Sequence, residues 1–116
     1  MPDLIRNKKI VVPCNRTIEL LSSHQIVRIE ALQNYCRFHL EDGNELVNTN
    51  NLRHYKSKLE GHRFYQCHKS FLIQIDKIVR FHKEGYIEMV DGAMIPVARR
   101  RREEFINQIL SVTDLH

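Results

Sequence analysis

Apolar and polar residues alternate in several short stretches of this chain. Tyr35-Cys36-Arg37-Phe38-His39-Leu40 puts Cys36, Phe38 and Leu40 on one face, and Ile26-Val27-Arg28-Ile29-Glu30-Ala31 does the same for Val27, Ile29 and Ala31. Successive side chains of an extended chain point to opposite sides, so this period of two predicts half-buried antiparallel strands. Ile78-Val79-Arg80-Phe81 and Tyr86-Ile87-Glu88-Met89-Val90 predict a further hairpin about Glu84-Gly85. Asp42-Gly43 and Asp91-Gly92 each lie between apolar-rich stretches. They are the strongest turn signals, because an Asp-Gly pair tolerates the positive φ of a tight hairpin.

Two stretches switch to a helical period. Leu52, Tyr55 and Leu59 form one stripe, which predicts a helix from Asn51 to Leu59 with Thr49 or Asn50 as its cap and Gly61 beyond its end. A second helix is predicted from about Arg100 to Leu110, with Phe105, Ile106, Ile109 and Leu110 on one side and Glu103 and Glu104 near its positive start. A long run of strand-like sequence separates the two. A helix-turn-helix joins its helices by a turn of about 3–4 residues, so that motif is excluded. If the chain reads DNA, loops and strand ends must do so.

The length of 116 residues fits one domain, with a core over about residues 8–110, and 42% hydrophobic with 28% charged residues is ordinary for a globular protein. No apolar run approaches the ~20 residues of a membrane helix, and the N-terminus has no secretory pattern. The three cysteines, Cys14, Cys36 and Cys67, are odd in number and widely spaced. That spacing predicts reduced thiols in a cytoplasmic protein, with Cys36 buried beside Phe38 and Leu40. None of the seven histidines has the i, i+4 partner of a helical metal site, and no phosphate loop or serine elbow occurs. Cys67 and His68 are adjacent strand residues and point apart, which defeats a nucleophile–base pair. The expectation is no enzyme, no cofactor and no metal.

Charge changes the picture more than composition does. Residues 50–83 hold eight Lys/Arg against two acids, and the four late basic residues are consecutive, Arg99 to Arg102. Clustered positive charge is the footprint of a polyanion partner, with a solvated surface face as the other explanation. Three elements could carry the contact. The polar patch His68-Lys69-Ser70 lies between apolar flanks and offers an imidazole, an ammonium and a hydroxyl to phosphates or base edges. Arg99 and Arg100 open the arginine run, where cations oppose the helix dipole and planar forks suit guanine and phosphate. On a helix only about two of the four can face one way. Leu32-Gln33-Asn34-Tyr35 joins two strands, and Asn or Gln can pair bidentately with adenine.

Taken in order, these stretches resemble a LytTR-type DNA-binding domain, the output module of many bacterial response regulators. The resemblance is carried by Ile29-Glu30-Ala31 with Asn34-Tyr35 running to Asp42-Gly43, by Phe64 with His68-Lys69-Ser70-Phe71, and by Asp91-Gly92 running to Ile95-Pro96-Val97-Ala98-Arg99-Arg100. It implies a mostly β fold with two short helices, an elongated stack of small antiparallel sheets. It also implies transcription regulation through double-stranded DNA, whose successive major grooves are entered by loops. The contacts implied are Asn34 and Tyr35, then His68 and Lys69, then Arg99. Ser70 and Arg100 join them on the chemistry above. Pairs of domains on promoter direct repeats are implied, as is a receiver domain in a longer parent chain. Ala98, Gln74 and Lys69 depart from the residues usual in the family, which are Ser, Asn, and Arg or Asn. Cys67 adjoins the contact patch, so its oxidation is expected to bear on binding. A protein-interaction module that kept the fold but lost DNA binding is the alternative function, and a nonspecific nucleic-acid binder is a third. Salt-sensitive retention on a polyanion separates the first alternative, and preference for one promoter the second.

Overall fold

The computed structural model describes residues 9–112, with side chains to residue 109. Among these residues the strands form three antiparallel sheets. A hairpin of β1 (Ile10–Pro13) and β2 (Ile18–Leu21) comes first. The central sheet has the order β5-β4-β3-β7-β6, from β3 (Ile26–Ala31), β4 (Cys36–Leu40), β5 (Glu45–Asn48), β6 (Phe64–His68) and β7 (Phe71–Gln74). The third sheet is β8 (Ile78–His82), β9 (Tyr86–Met89) and β10 (Met94–Pro96), with β9 in the middle. Helix α1 (Leu52–Lys58) links β5 to β6, and α2 (Arg102–Val112) follows β10 through a 3-10 turn at Arg99–Arg101. No helix of the described residues is long and apolar enough to cross a membrane.

The central sheet separates two hydrophobic cores. On one side Cys36, Phe38 and Leu40 of β4, all on one face as the alternation predicts, meet Leu52 and Tyr55 of α1, Leu59 just beyond its end, and the inner face of the β1–β2 hairpin. Phe38 and Tyr55 pack edge to face with ring centroids 4.7 Å apart, a pairing that adds about 0.5–1.5 kcal/mol beyond simple burial. On the other side Tyr65, Cys67 and Ile73 meet Ile87, Met89 and Ile95 of the third sheet and Phe105 of α2. The middle strands β3 and β7 are covered on both faces. This explains why Phe71-Leu72-Ile73 is a continuous apolar run, with Leu72 in the first core and Ile73 in the second.

Burial on both faces also corrects the reading of β3. Val27 and Ile29 do not share a face: Ile29 lies in the first core with Ile26, and Val27 lies in the second. A register shift between Ile26 and Arg28 in the β3–β4 pairing breaks the strict alternation there. Two helix expectations change as well. The cap of α1 is Asn51, whose side chain accepts the His54 N–H at 2.9 Å, rather than Thr49 or Asn50. Asn50 is engaged elsewhere, donating to Tyr55 Oη at 3.1 Å and to Asn48 Oδ1 at 3.0 Å. In α2, Phe105 is fully buried and Ile109 packs against the second core, but Ile106 is 44% exposed. The side chain of Leu110 lies outside the described residues.

Both Asp-Gly pairs make the turns expected of them. Asp42 accepts the Asn44 N–H at 2.8 Å between β4 and β5, and Asp91 accepts the Ala93 N–H at 3.1 Å between β9 and β10. These side chains copy a backbone turn, and the glycine behind each takes the positive φ. Burial pushes the Asp91 carboxyl up, but the hydrogen bonds from Arg28 and the Ala93 backbone, together with the Arg28 charge, outweigh it and leave the carboxyl below its usual range.

Candidate nucleic-acid interface

The tertiary structure sets three distant loops side by side. The loop between β3 and β4 carries Asn34 and Tyr35, and Leu32 N–H closes it on Tyr35 O at 2.8 Å. Its near end is tied to the β6–β7 turn, since Ala31 N–H donates to Ser70 O at 2.8 Å. The other flank of that turn is tied to the β10–α2 segment, since Ala98 N–H donates to Cys67 O at 2.9 Å. Main-chain bonds thus hold the β6–β7 turn between the loop of Asn34 and the turn of Arg99. All seven residues singled out in the sequence fall on these three segments. Asn34, Lys69, Arg99 and Arg100 are exposed, whereas Tyr35, His68 and Ser70 are half-buried.

His68 has a defined local task. Its Nδ1 accepts the Ser70 N–H at 3.1 Å, and its ring lies 5.8 Å from that of Phe71. The imidazole therefore shapes the turn, and Nε2 is its remaining polar atom. Gln74 is a buried clamp: its Nε2 donates to Ser23 O and Ile26 O, each at 3.0 Å. Its role is structural.

The arginine run divides in two. Arg101 donates to the backbone carbonyl of Gln66, and Arg102 Nε donates to Val97 O at 3.4 Å. The Arg102 guanidinium lies over Gly85, where an added Cβ would fall 2.3 Å from it. Arg99 and Arg100 have no ion-pair partner among the described residues and stand exposed. The conflict with the helix dipole is mild, because Arg99–Arg101 form a 3-10 turn and Glu103 and Glu104 occupy the first turn of α2.

Structure also sorts the basic middle segment. Arg63 pairs with Asp76, Lys77 with Glu41 and Arg80 with Glu88, each at 2.8 Å. Arg53, Lys56, Lys58, Lys69 and Lys83 have no carboxylate in ion-pair reach among the described residues. The unneutralised charge is thus narrower than the sequence count. Arg53 and Lys56 line a polar groove with Asn34, Gln66 and Lys69, and on their other side a second groove, lined also by Glu60 and Glu104, runs to Arg101. Sequence reasoning missed Arg53 and Lys56 as individuals. Their signal was the spacing of three, which sets them together on the polar side of α1, away from Leu52 and Tyr55.

The thiols correct one expectation. Cys67 is fully buried, its Sγ donates to Pro96 O at 3.6 Å, and burial pushes its thiol up to about 12. Oxidation needs an accessible thiolate, so Cys67 is a structural residue despite adjoining the turn. Cys36 is buried as expected, and burial raises its thiol too. Folding keeps both thiols neutral, while the unfolded chain ionises near 9. The stabilisation from Cys67 is therefore complete below pH 9 and is lost as pH rises towards 12, and Cys36 acts in the same direction. The denaturation midpoint is expected to fall steadily as pH rises from about 9 to 10.5, and Cys36 and Cys67 are expected to resist a thiol reagent at pH 8 in the folded protein. Rapid modification of Cys67 without unfolding would contradict this. Among the described residues no group of histidine, cysteine and acidic side chains converges as a metal site.

Comparison with known proteins agrees with the architecture. The fold superimposes with a TM-score of 0.77 on the LytTr DNA-binding domain of a methyl-accepting/DNA response regulator from Bacillus cereus, at 15% identity, over 89% of this chain and 97% of that one. At that identity the likeness speaks for the fold alone. No curated protein matches the chain. The family model for the LytTr DNA-binding domain matches residues 16–110, which include all three loops. On that match the chain belongs to the LytTr DNA-binding domain family.

Proposed function

We propose that this chain is a single, cytoplasmic, sequence-specific domain that binds double-stranded DNA to regulate transcription, the output domain of a two-component response regulator. The observation that supports this best is the main-chain coupling of the three loops, Ala31 to Ser70 and Ala98 to Cys67. It fixes the spacing of the exposed Asn34, Lys69 and Arg99 in the free protein. Loops held in advance lose little entropy on binding. Asn34 offers the paired donor and acceptor that match adenine, and Arg99 offers the fork that matches guanine. Lys69 and Arg100 supply phosphate contacts, and His68 Nε2, the Ser70 hydroxyl and Tyr35 complete the surface entering the major groove. Two copies on promoter direct repeats extend the site, and a receiver domain in a longer parent chain supplies control.

Binding is expected to weaken steeply with salt. If about four to six phosphates are contacted, log K falls against log salt with a slope near −4 to −5. Titration of a selected duplex and a scrambled one at several salt concentrations measures this. A slope near zero would discard DNA binding in favour of a protein-interaction module. A steep slope with equal affinity for both duplexes would leave a nonspecific binder.

A further inference from the structure

We infer that α1 belongs to the DNA interface, with Arg53 and Lys56 holding one phosphodiester strand in the groove that runs between the loop of Asn34 and the turn of Lys69. This rests on the DNA binding proposed above and adds a helix to an interface otherwise made of loops.

Cations and amides line the groove, without an acid. Asn34, Asn50, Arg53, Lys56, Gln66 and Lys69 supply amide and cationic donors, and no carboxylate lines this stretch. Phosphate oxygens only accept hydrogen bonds. A surface with three cations and no acid therefore fits a phosphodiester strand better than base edges, which mix donors and acceptors. The cations are also available. Most other arginines and lysines around the central sheet are spent on carboxylates, as in the pairs Arg28–Asp91 and Lys77–Glu41. Arg53 and Lys56 make no such pair among the described residues and are exposed.

The placement of α1 points the same way. Leu52 and Tyr55 are buried in the first core and Asn51 caps the helix, so α1 cannot roll on the sheet. Arg53 and Lys56, three residues apart, then present neighbouring side chains on one side. The groove lies between two of the loops assigned to the DNA grooves. When loops on both sides of a protein groove enter a duplex, the backbone between them must lie over that groove. Lys58 provides an internal comparison, since it is on the same helix with the same charge and exposure but does not line the groove.

The test uses the whole chain and a random-sequence duplex at several salt concentrations between about 50 and 200 mM. Arg53→Gln with Lys56→Gln is expected to weaken binding by about tenfold for each lost contact near 0.1 M salt and to flatten the salt slope by about two units. Lys58→Gln is expected to leave the slope within about half a unit of the parent, because exposed charge away from the contact is screened. The swap Arg53→Lys with Lys56→Arg, which keeps both charges, is expected to retain the slope and guards against a folding defect. Equal slopes for the double Gln variant and Lys58→Gln would overturn the inference. If the unaltered chain itself binds without salt dependence, the DNA reading fails first, and α1 fails with it. The two failures are read from different proteins and cannot be confused.

Discussion

Arg99→Ala is expected to lower affinity for the preferred duplex by roughly tenfold to a hundredfold while barely changing affinity for a scrambled one. The reason lies in how the residue is held. Ala98 N–H is bonded to Cys67 O at 2.9 Å, Arg101 N–H returns to Ala98 O at 2.8 Å, and the Arg102 N–H bonds to Arg99 O. The backbone that carries Arg99 is therefore fixed on both sides. A guanidinium on a fixed stem can place two parallel donors on one guanine, a contact that supplies about 1–3 kcal/mol of base discrimination. Arg99→Lys is expected to do almost as badly, since a point charge cannot supply the fork. Lys69, exposed at the tip of the β6–β7 turn, serves as the contrast. Lys69→Ala is expected to weaken both duplexes alike and to reduce the salt slope by about one unit. Neither variant is expected to unfold, because exposed long cations contribute little to stability. Binding to both duplexes at two salt concentrations, with circular dichroism as the folding control, decides the matter. If Arg99→Ala lowers both affinities by one factor, Arg99 is a phosphate clamp, and base reading belongs to the Asn34–Tyr35 loop.

Phe105→Ala is expected to cost about 3–5 kcal/mol, a large part of the ~5–15 kcal/mol that holds a domain of this size together. Phe105 is fully buried, and its ring centroid lies 5.6 Å from that of Tyr65 and 5.4 Å from that of Phe81. It pins α2 across β6 and β8. The same helix is tied down by Tyr65 Oη donating to Glu104 at 2.6 Å and by Arg101 donating to the Gln66 carbonyl. Truncation leaves a cavity between two sheets that are each held by their own ladders, so the site cannot collapse to fill it. Because the Arg99–Arg101 turn leads directly into α2, loss of the anchor is also expected to loosen Arg99. A fall in Tm on the order of 15 °C is expected. Ile106→Ala, one residue on and 44% exposed, is the control and is expected to change stability by less than about 1 kcal/mol. Equal midpoints for the two variants in denaturant titration would show that Phe105 does not anchor the helix.

Alternation and turn chemistry are local properties, and by themselves they determine most of the elements. The period of two in β4, with Cys36, Phe38 and Leu40 inward, survives intact because β4 is covered on one face only. The Asp-Gly turns survive because the aspartate and the glycine each act on their own backbone. The order of the three polar stretches, from Asn34 through Lys69 to Arg99, is likewise legible in the sequence, and with it the family. Other features are decided by neighbours that no local pattern contains. Val27 goes to a different core from Ile29 because β3 is packed on both sides and its pairing shifts register. The four arginines look equivalent in sequence, yet Arg101 and Arg102 turn inward because the Gln66 carbonyl and the bare surface of Gly85 are waiting for them. The basic middle segment loses three of its charges to Asp76, Glu41 and Glu88, two of which lie outside it. Arg53 and Lys56 become candidates only because α1 is set beside Gln66 and Lys69. Periodicity and turn propensity follow from a residue and its immediate neighbours. Pairing, neutralisation and the shape of a groove depend on which distant segments meet, and that is a property of the assembled sheets alone.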